Sequence, residues 1–188
     1  MKISLRYPLI EFLTGMFAFF LAPKTFLIPD VINFIFYFSI ASVFLAHLLI
    51  DIEHQLLPDK LNLYLLIVIL PYVIINFPLY HWLIGGAIGF LGPLGVTYLF
   101  YKLRGQIGLG GGDIKLFGIL GLILGPLGVM NNIFMSCMLG SIIGIGLIAL
   151  KKIDKEKPFA FGPFIIIAAS IQIFFPEIVE YINPLYIK

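Results

Sequence analysis

An all-α, polytopic membrane bundle is predicted by three observations. The mean hydropathy is +1.08, and 61% of the residues are apolar against 12% charged, too little polar surface to cover a domain in water. The apolar residues gather in long runs bounded by Pro, Gly and charge, without the period-two alternation of barrel strands. Only helices and closed barrels satisfy backbone polar groups in lipid, so the runs are read as helices. No Ser-rich, Pro-rich or charged linker interrupts the 188 residues, and residues 1–188 read as a single membrane-embedded domain.

Seven helices are expected, at about 8–22, 33–50, 60–77, 80–101, 113–124, 127–150 and 161–175. The first follows Lys2 and Arg6, as a signal peptide would. Glu11 inside it, Pro23 beyond it and the lack of an A-x-A-like cleavage site favour a retained helix. Asp51 closes the second run, and Pro58-Asp59 opens the third, with Asp59 as the expected N-cap. The fourth ends before Lys102 and Arg104. The fifth follows Gly110-Gly111-Gly112-Asp113 and stops at Gly125-Pro126. It reaches only about 16 Å, roughly half of a hydrocarbon core. It should therefore begin below the headgroups, its glycines forming irregular, partly φ > 0 backbone. The sixth runs on to Lys151, and the seventh opens at Phe161-Gly162-Pro163.

Charge sets the expected topology. With the N-terminus in the cytoplasm, that side collects Lys2, Arg6, Lys60, Lys102, Arg104, Lys115, Lys151, Lys152, Lys155 and Lys157, leaving only Lys24 and Lys188 outside. The net charge of +2 is too small for a nucleic-acid footprint. The single Cys137 supplies neither a disulfide framework nor a thiolate metal site.

The same topology puts Asp51 and Asp113 on one side of the membrane, although they are 62 residues apart. Carboxylates at the edge of the hydrocarbon are expensive unless paired or wetted, which makes two of them a functional signal. Aspartyl proteolysis needs such a pair: one carboxylate takes a proton from water while the other, protonated, polarises the scissile carbonyl. Like charges sharing a site split their titration and produce that mixed state without a metal. Gly110 and Gly112 would let backbone approach an extended substrate, whereas taken alone they make a flexible loop before an N-capping Asp. An ion- or proton-coupled transporter is the alternative, since broken helices and membrane carboxylates serve there too. Inverted repeats would favour it, and only Gly-Pro-Leu-Gly at 92–95 and 125–128 recurs.

Asp51-Ile52-Glu53-His54-Gln55-Leu56-Leu57-Pro58-Asp59, followed by Gly110-Gly111-Gly112-Asp113-Ile114-Lys115, resembles the type IV prepilin peptidases, the GxGD membrane aspartyl proteases. Ile3 to Glu11 resembles the segment before a membrane helix in bacterial members, and Phe161-Gly162-Pro163-Phe164 resembles the opening of their last helix. The resemblance implies that Asp51 and Asp113 are the catalytic pair and that Gly110 and Gly112 shape the loop. It further implies that a prepilin or pseudopilin precursor loses a short basic leader at the bacterial cytoplasmic (inner) membrane, cut after a Gly and before an apolar segment that becomes a helical stalk. Typical members carry, ahead of the part matching Ile3, an earlier helix and a loop with two Cys-x-x-Cys pairs, associated with zinc and with N-methylation by S-adenosylmethionine. Neither occurs in this sequence. No cofactor is expected for peptidase activity, and a role for S-adenosylmethionine is doubtful. The lipid bilayer is the other expected partner, and oligomeric state stays open.

Lys115 is read either as a holder of a substrate carboxylate or as an interfacial lysine with its head in water. Asp59 is placed near the site, Glu53 and His54 in a solvated loop, and Glu11 in a structural pairing. His47 and His81 are expected to make buried or interfacial hydrogen bonds. The Gly85-to-Gly89 and Gly140-to-Gly144 spacings suggest close helix packing.

Overall fold

In the computed structural model, residues 6–22, 27–106, 108–150 and 160–177 are described. Lys2, Lys24, Lys151, Lys152, Lys155, Lys157 and Lys188 of the charge count, and Ile3 to Leu5 of the matched segment, lie outside them. The described residues form six helices: α1 Arg6–Leu21, α2 Ile28–His54, α3 Asp59–Asn76, α4 Leu79–Arg104, α5 Gly111–Ala149 and α6 Gly162–Phe174. The chain divides into two compact units, Met1–Ala46 and His47–Lys188, with the division inside α2. Of the six helices, α2, α3, α4 and α5 are long and apolar enough to cross a membrane. Large apolar side chains such as Ile75 and Leu103 face outward, as expected of a membrane protein.

The expected helices at 113–124 and 127–150 are the two limbs of α5, joined at a kink. Gly125 has φ 70° and ψ −176° there, a conformation that glycine tolerates, and Pro126 follows without an N–H to donate. Nε2 of His81 donates to the Ile123 carbonyl at 3.3 Å, beside that break. The His81 ring also stacks on Phe77 at 4.6 Å between centroids. Elsewhere the helices outrun the apolar runs. α2 starts at Ile28 because Pro29 and Asp30 suit a first helical turn, and it ends past Asp51 with Glu53 and His54 as exposed helical residues, correcting the loop expected there.

In the unit His47–Lys188, α4 and α5 pack backbone to backbone. A Cβ on Gly85 would strike the Gly121 carbonyl, and one on Gly89 would strike that of Phe117. These contacts set an antiparallel register in which α4 runs on to Arg104. α3 packs along α5, burying Leu65, Ile69 and Val73. The second limb of α5 holds α6. Nδ2 of Asn132 donates to Ile165 O at 3.4 Å, Ser136 Oγ donates to Asn132 O at 2.6 Å and lies 3.4 Å from Phe164 O, and Gly140 leaves room for the Phe161 and Phe164 rings. The N-terminus of α6 is thereby anchored where it meets the end of α2.

Candidate active site

Asp51 lies in the last turn of α2, 4% exposed. A carboxylate there opposes the helix dipole and must find a donor elsewhere. It finds one at the N-terminus of α6, where the Gly162 N–H donates to Asp51 Oδ2 at 2.9 Å. The contact requires glycine, because a Cβ at 162 would stand 2.7 Å from that same oxygen.

Asp113 has the opposite setting. It is the third residue of α5, behind the N-cap Gly110, and its carboxylate accepts the Gly110 N–H, as an acidic residue in that position does in a capping box. The dipole favours it there. Asp113 Oδ1 is buried and has no hydrogen-bond partner. The two carboxylates are close enough for their charges to interact. Leu57 lies against the first turns of α5 and α6. A Cβ on Gly112 would come 2.8 Å from its Cβ and one on Gly162 would come 3.2 Å from its Cδ2. Leu57 is 6% exposed and seats the α2–α3 connection against the first turns of α5 and α6.

Three expectations change. Gly110 to Gly112 are not left-handed: Gly110 has φ −66° and ψ 147°, Gly111 and Gly112 are helical, and the only positive-φ glycines among the described residues are Gly105 and Gly125. Their value is lack of bulk, against Asp113 at Gly110 and Leu57 at Gly112. Asp59 is not an N-cap. Pro58 holds that position, and Asp59 is the first helical residue, with its carboxylate paired to Lys115 Nζ at 2.7 Å. Lys115, two residues after Asp113 on α5, is thus engaged by Asp59. Glu11 is exposed on α1.

Sequence reasoning missed Asn62 and gave Gly162 no role at the site. Asn62 is 3% exposed, and its Nδ2 donates to Gly112 O, immediately before Asp113, at 3.4 Å. A lone amide three residues after Asp59 in an apolar run was the available signal. Among the described residues no three His, Cys, Asp or Glu side chains converge. Cys137 is exposed and by itself. These residues do not compose a thiolate zinc site.

Residues 38–145 match the family model described as the type IV leader peptidase family. The chain belongs to that family. Relatives named prepilin leader peptidase/N-methyltransferase include those of Aeromonas salmonicida strain A449, 35% identical over 178 residues, and Xanthomonas campestris pv. campestris, 33% identical over 180. A third, from Pseudomonas aeruginosa, is 32% identical over 181 residues. These alignments cover 91%, 92% and 91% of this chain but 58%, 60% and 59% of the relatives, so the chain spans about three fifths of their length. No solved structure matches it. Leader peptidase relatives give no support to the transporter alternative. The family match takes in Asp51, Asn62 and the whole Gly110–Lys115 segment.

Proposed function

We propose that this chain is a membrane aspartyl endopeptidase that removes the short basic leader from type IV prepilins or type II secretion pseudopilins at the cytoplasmic face of the bacterial inner membrane. The observation that carries this reading is the pair itself. Two helix ends far apart in sequence bring Asp51 and Asp113 within each other's field, each steadied by one main-chain N–H. Asp113 Oδ1, buried and without a hydrogen-bond partner, is left to bond a water.

The pair holds one proton between its two carboxyls. The ionised member takes a proton from the water, whose oxygen attacks the scissile carbonyl carbon, while the protonated member gives its proton to the carbonyl oxygen. The tetrahedral diol then collapses. A hydroxyl proton returns to one carboxylate, the C–N bond breaks, and the leaving amine takes up the other proton. Which carboxyl starts ionised belongs to the coupled pair and not to either residue. No cofactor is required by these steps.

The proposed topology is seven membrane segments, counting the limbs of α5 separately, with the N-terminus in the cytoplasm. Its support is the placing of bases. Lys60 opens α3, Lys102 and Arg104 close α4 and Lys115 lies in the first turns of α5, all at the end that carries the carboxylates. The deciding experiment incubates purified chain with a membrane-anchored prepilin precursor and follows loss of the leader. An uncut precursor under conditions where a known leader peptidase cuts it would overturn the proposal.

A further inference from the structure

A groove of about 530 Å³ opens between α3, α4 and the first limb of α5. The Asp59–Lys115 pair and Asn62 line one end; Leu66, Gly86 and Leu122 line the other. From Asp59 to Leu66 and from Lys115 to Leu122 the walls run in parallel, while α4 comes back from Phe90 to Gly86. The groove therefore extends about 10 Å, two helical turns, away from the level of the carboxylates and into the apolar part of the unit. Except at the Asp59–Asn62–Lys115 end, its walls are apolar side chains and glycine.

Asn62 makes this more than an unpartnered apolar face. With its Nδ2 committed to Gly112 O, its Oδ1 is buried and has no partner. Such an acceptor is costly to bury unless something donates to it. If the proposed reaction is right, the bond that is cut precedes an apolar helix. The first four N–H groups of any helix lack partners within it, and in hydrocarbon they have no water to bond. The groove and its buried acceptor meet those two needs together, next to the residue that leads into Asp113.

We propose that this groove seats the first two turns of the precursor's apolar segment, and that Asn62 Oδ1 accepts one of its unpaired backbone N–H groups. The inference rests on the peptidase reading but is tested separately from it. A photo-crosslinking residue is placed at Leu66, and at Leu127 on the outer face of α5 as the control, in Asp51→Asn protein mixed with full precursor in membranes. Adducts from position 66, mapped by mass spectrometry to the first two turns after the cut, are expected, with none from 127. Their absence, or adducts on the leader alone, would overturn the proposal whether or not the chain cleaves.

Kinetics give the second readout. The groove-filling Leu66→Trp and Leu122→Trp should each raise KM for full precursor about tenfold or more, with kcat changed by less than about threefold. Neither should alter cleavage of a soluble peptide that spans the junction but lacks the apolar segment. Unchanged KM for full precursor in both variants would refute the groove while leaving proteolysis standing. Loss of cleavage of both substrates by the wild-type chain would remove the peptidase reading itself.

Discussion

Replacing Gly162 by alanine tests how tightly the Asp51 carboxylate is held. The added methyl would stand 2.7 Å from Asp51 Oδ2, 3.1 Å from Asp51 Cγ and 3.2 Å from Leu57 Cδ2. Ordinary contact begins near 3.4 Å, so 0.7 Å must be found (3.4 − 2.7). Pro163 and the α5 contacts restrain the start of α6, and Leu57 closes another side, so the carboxylate is the group that gives way. A shift approaching 1 Å in a reacting group costs up to about 100-fold, which places the expected fall in kcat at roughly 10- to 100-fold. Overpacking should cost about 1–3 kcal/mol of stability, partly offset by alanine's preference for a helix. The assay is cleavage of precursor at saturating substrate, alongside thermal unfolding of the same preparation. Gly146→Ala is the control, since nothing lies within 4 Å of a Cβ there. Wild-type kcat in a folded Gly162→Ala protein would show that the Gly162 contact does not position a catalytic group.

Asp51→Asn and Asp113→Asn should each lower cleavage by about 10²–10⁴-fold with the fold retained, since an amide cannot pass the proton; near-normal turnover by either would remove the pair from the mechanism. The rate of cleavage should follow a bell in pH, falling at low pH where no ionised carboxylate remains to take the water proton and at high pH where no protonated one remains to donate. EDTA should leave the profile unchanged, and loss of activity restored by a metal would point to metal-assisted hydrolysis. Gly85→Ala forces a methyl against the Gly121 carbonyl and Gly125 backbone and should destabilise the unit by about 1–3 kcal/mol, read from denaturation followed by the single tryptophan, Trp82. The product is expected to carry a free, unmethylated amine when S-adenosylmethionine is present, because Gly110–Gly112 are folded into the start of α5 around Asp113. A mass gain of one methyl at the new amino terminus would contradict this.

The helices were legible because lipid demands long apolar runs, and the break at Gly125-Pro126 was legible because those residues punctuate a helix whatever surrounds them. Asp51 and Asp113 stood out for the same reason, as charges at the ends of such runs. Their proximity was not legible. It depends on which helix the Gly85–Gly89 face meets, at which register, and on the docking of α6, none of which the spacing of the glycines names. Gly162 could be read as the opening of a helix but not as a donor to a residue 111 positions away. The Asp59–Lys115 pair was hidden likewise by 56 residues of separation. The glycines before Asp113 point in sequence to φ > 0 and to approach of a substrate, whereas in the fold their lack of bulk makes room for Asp113 and Leu57.

The register between α4 and α5 has a consequence for how solvent meets this chemistry. Gly85 abuts Gly121 and Gly89 abuts Phe117, so Asp113 lies about level with Pro93. From there α4 continues for 11 residues to Arg104, about 16 Å, exposing Val96, Tyr98, Leu99, Tyr101 and Leu103. The exposed Asp59–Lys115 pair stands near the level of Asp113 while Lys102 and Arg104 lie roughly three turns beyond it, so the carboxylates lie beside an exposed apolar stretch of α4 and not at its tip. On the proposed reading, water for each turnover reaches the pair beside that apolar stretch. On the same reading, a scissile bond is cut alongside α4, roughly three turns short of the end of that helix.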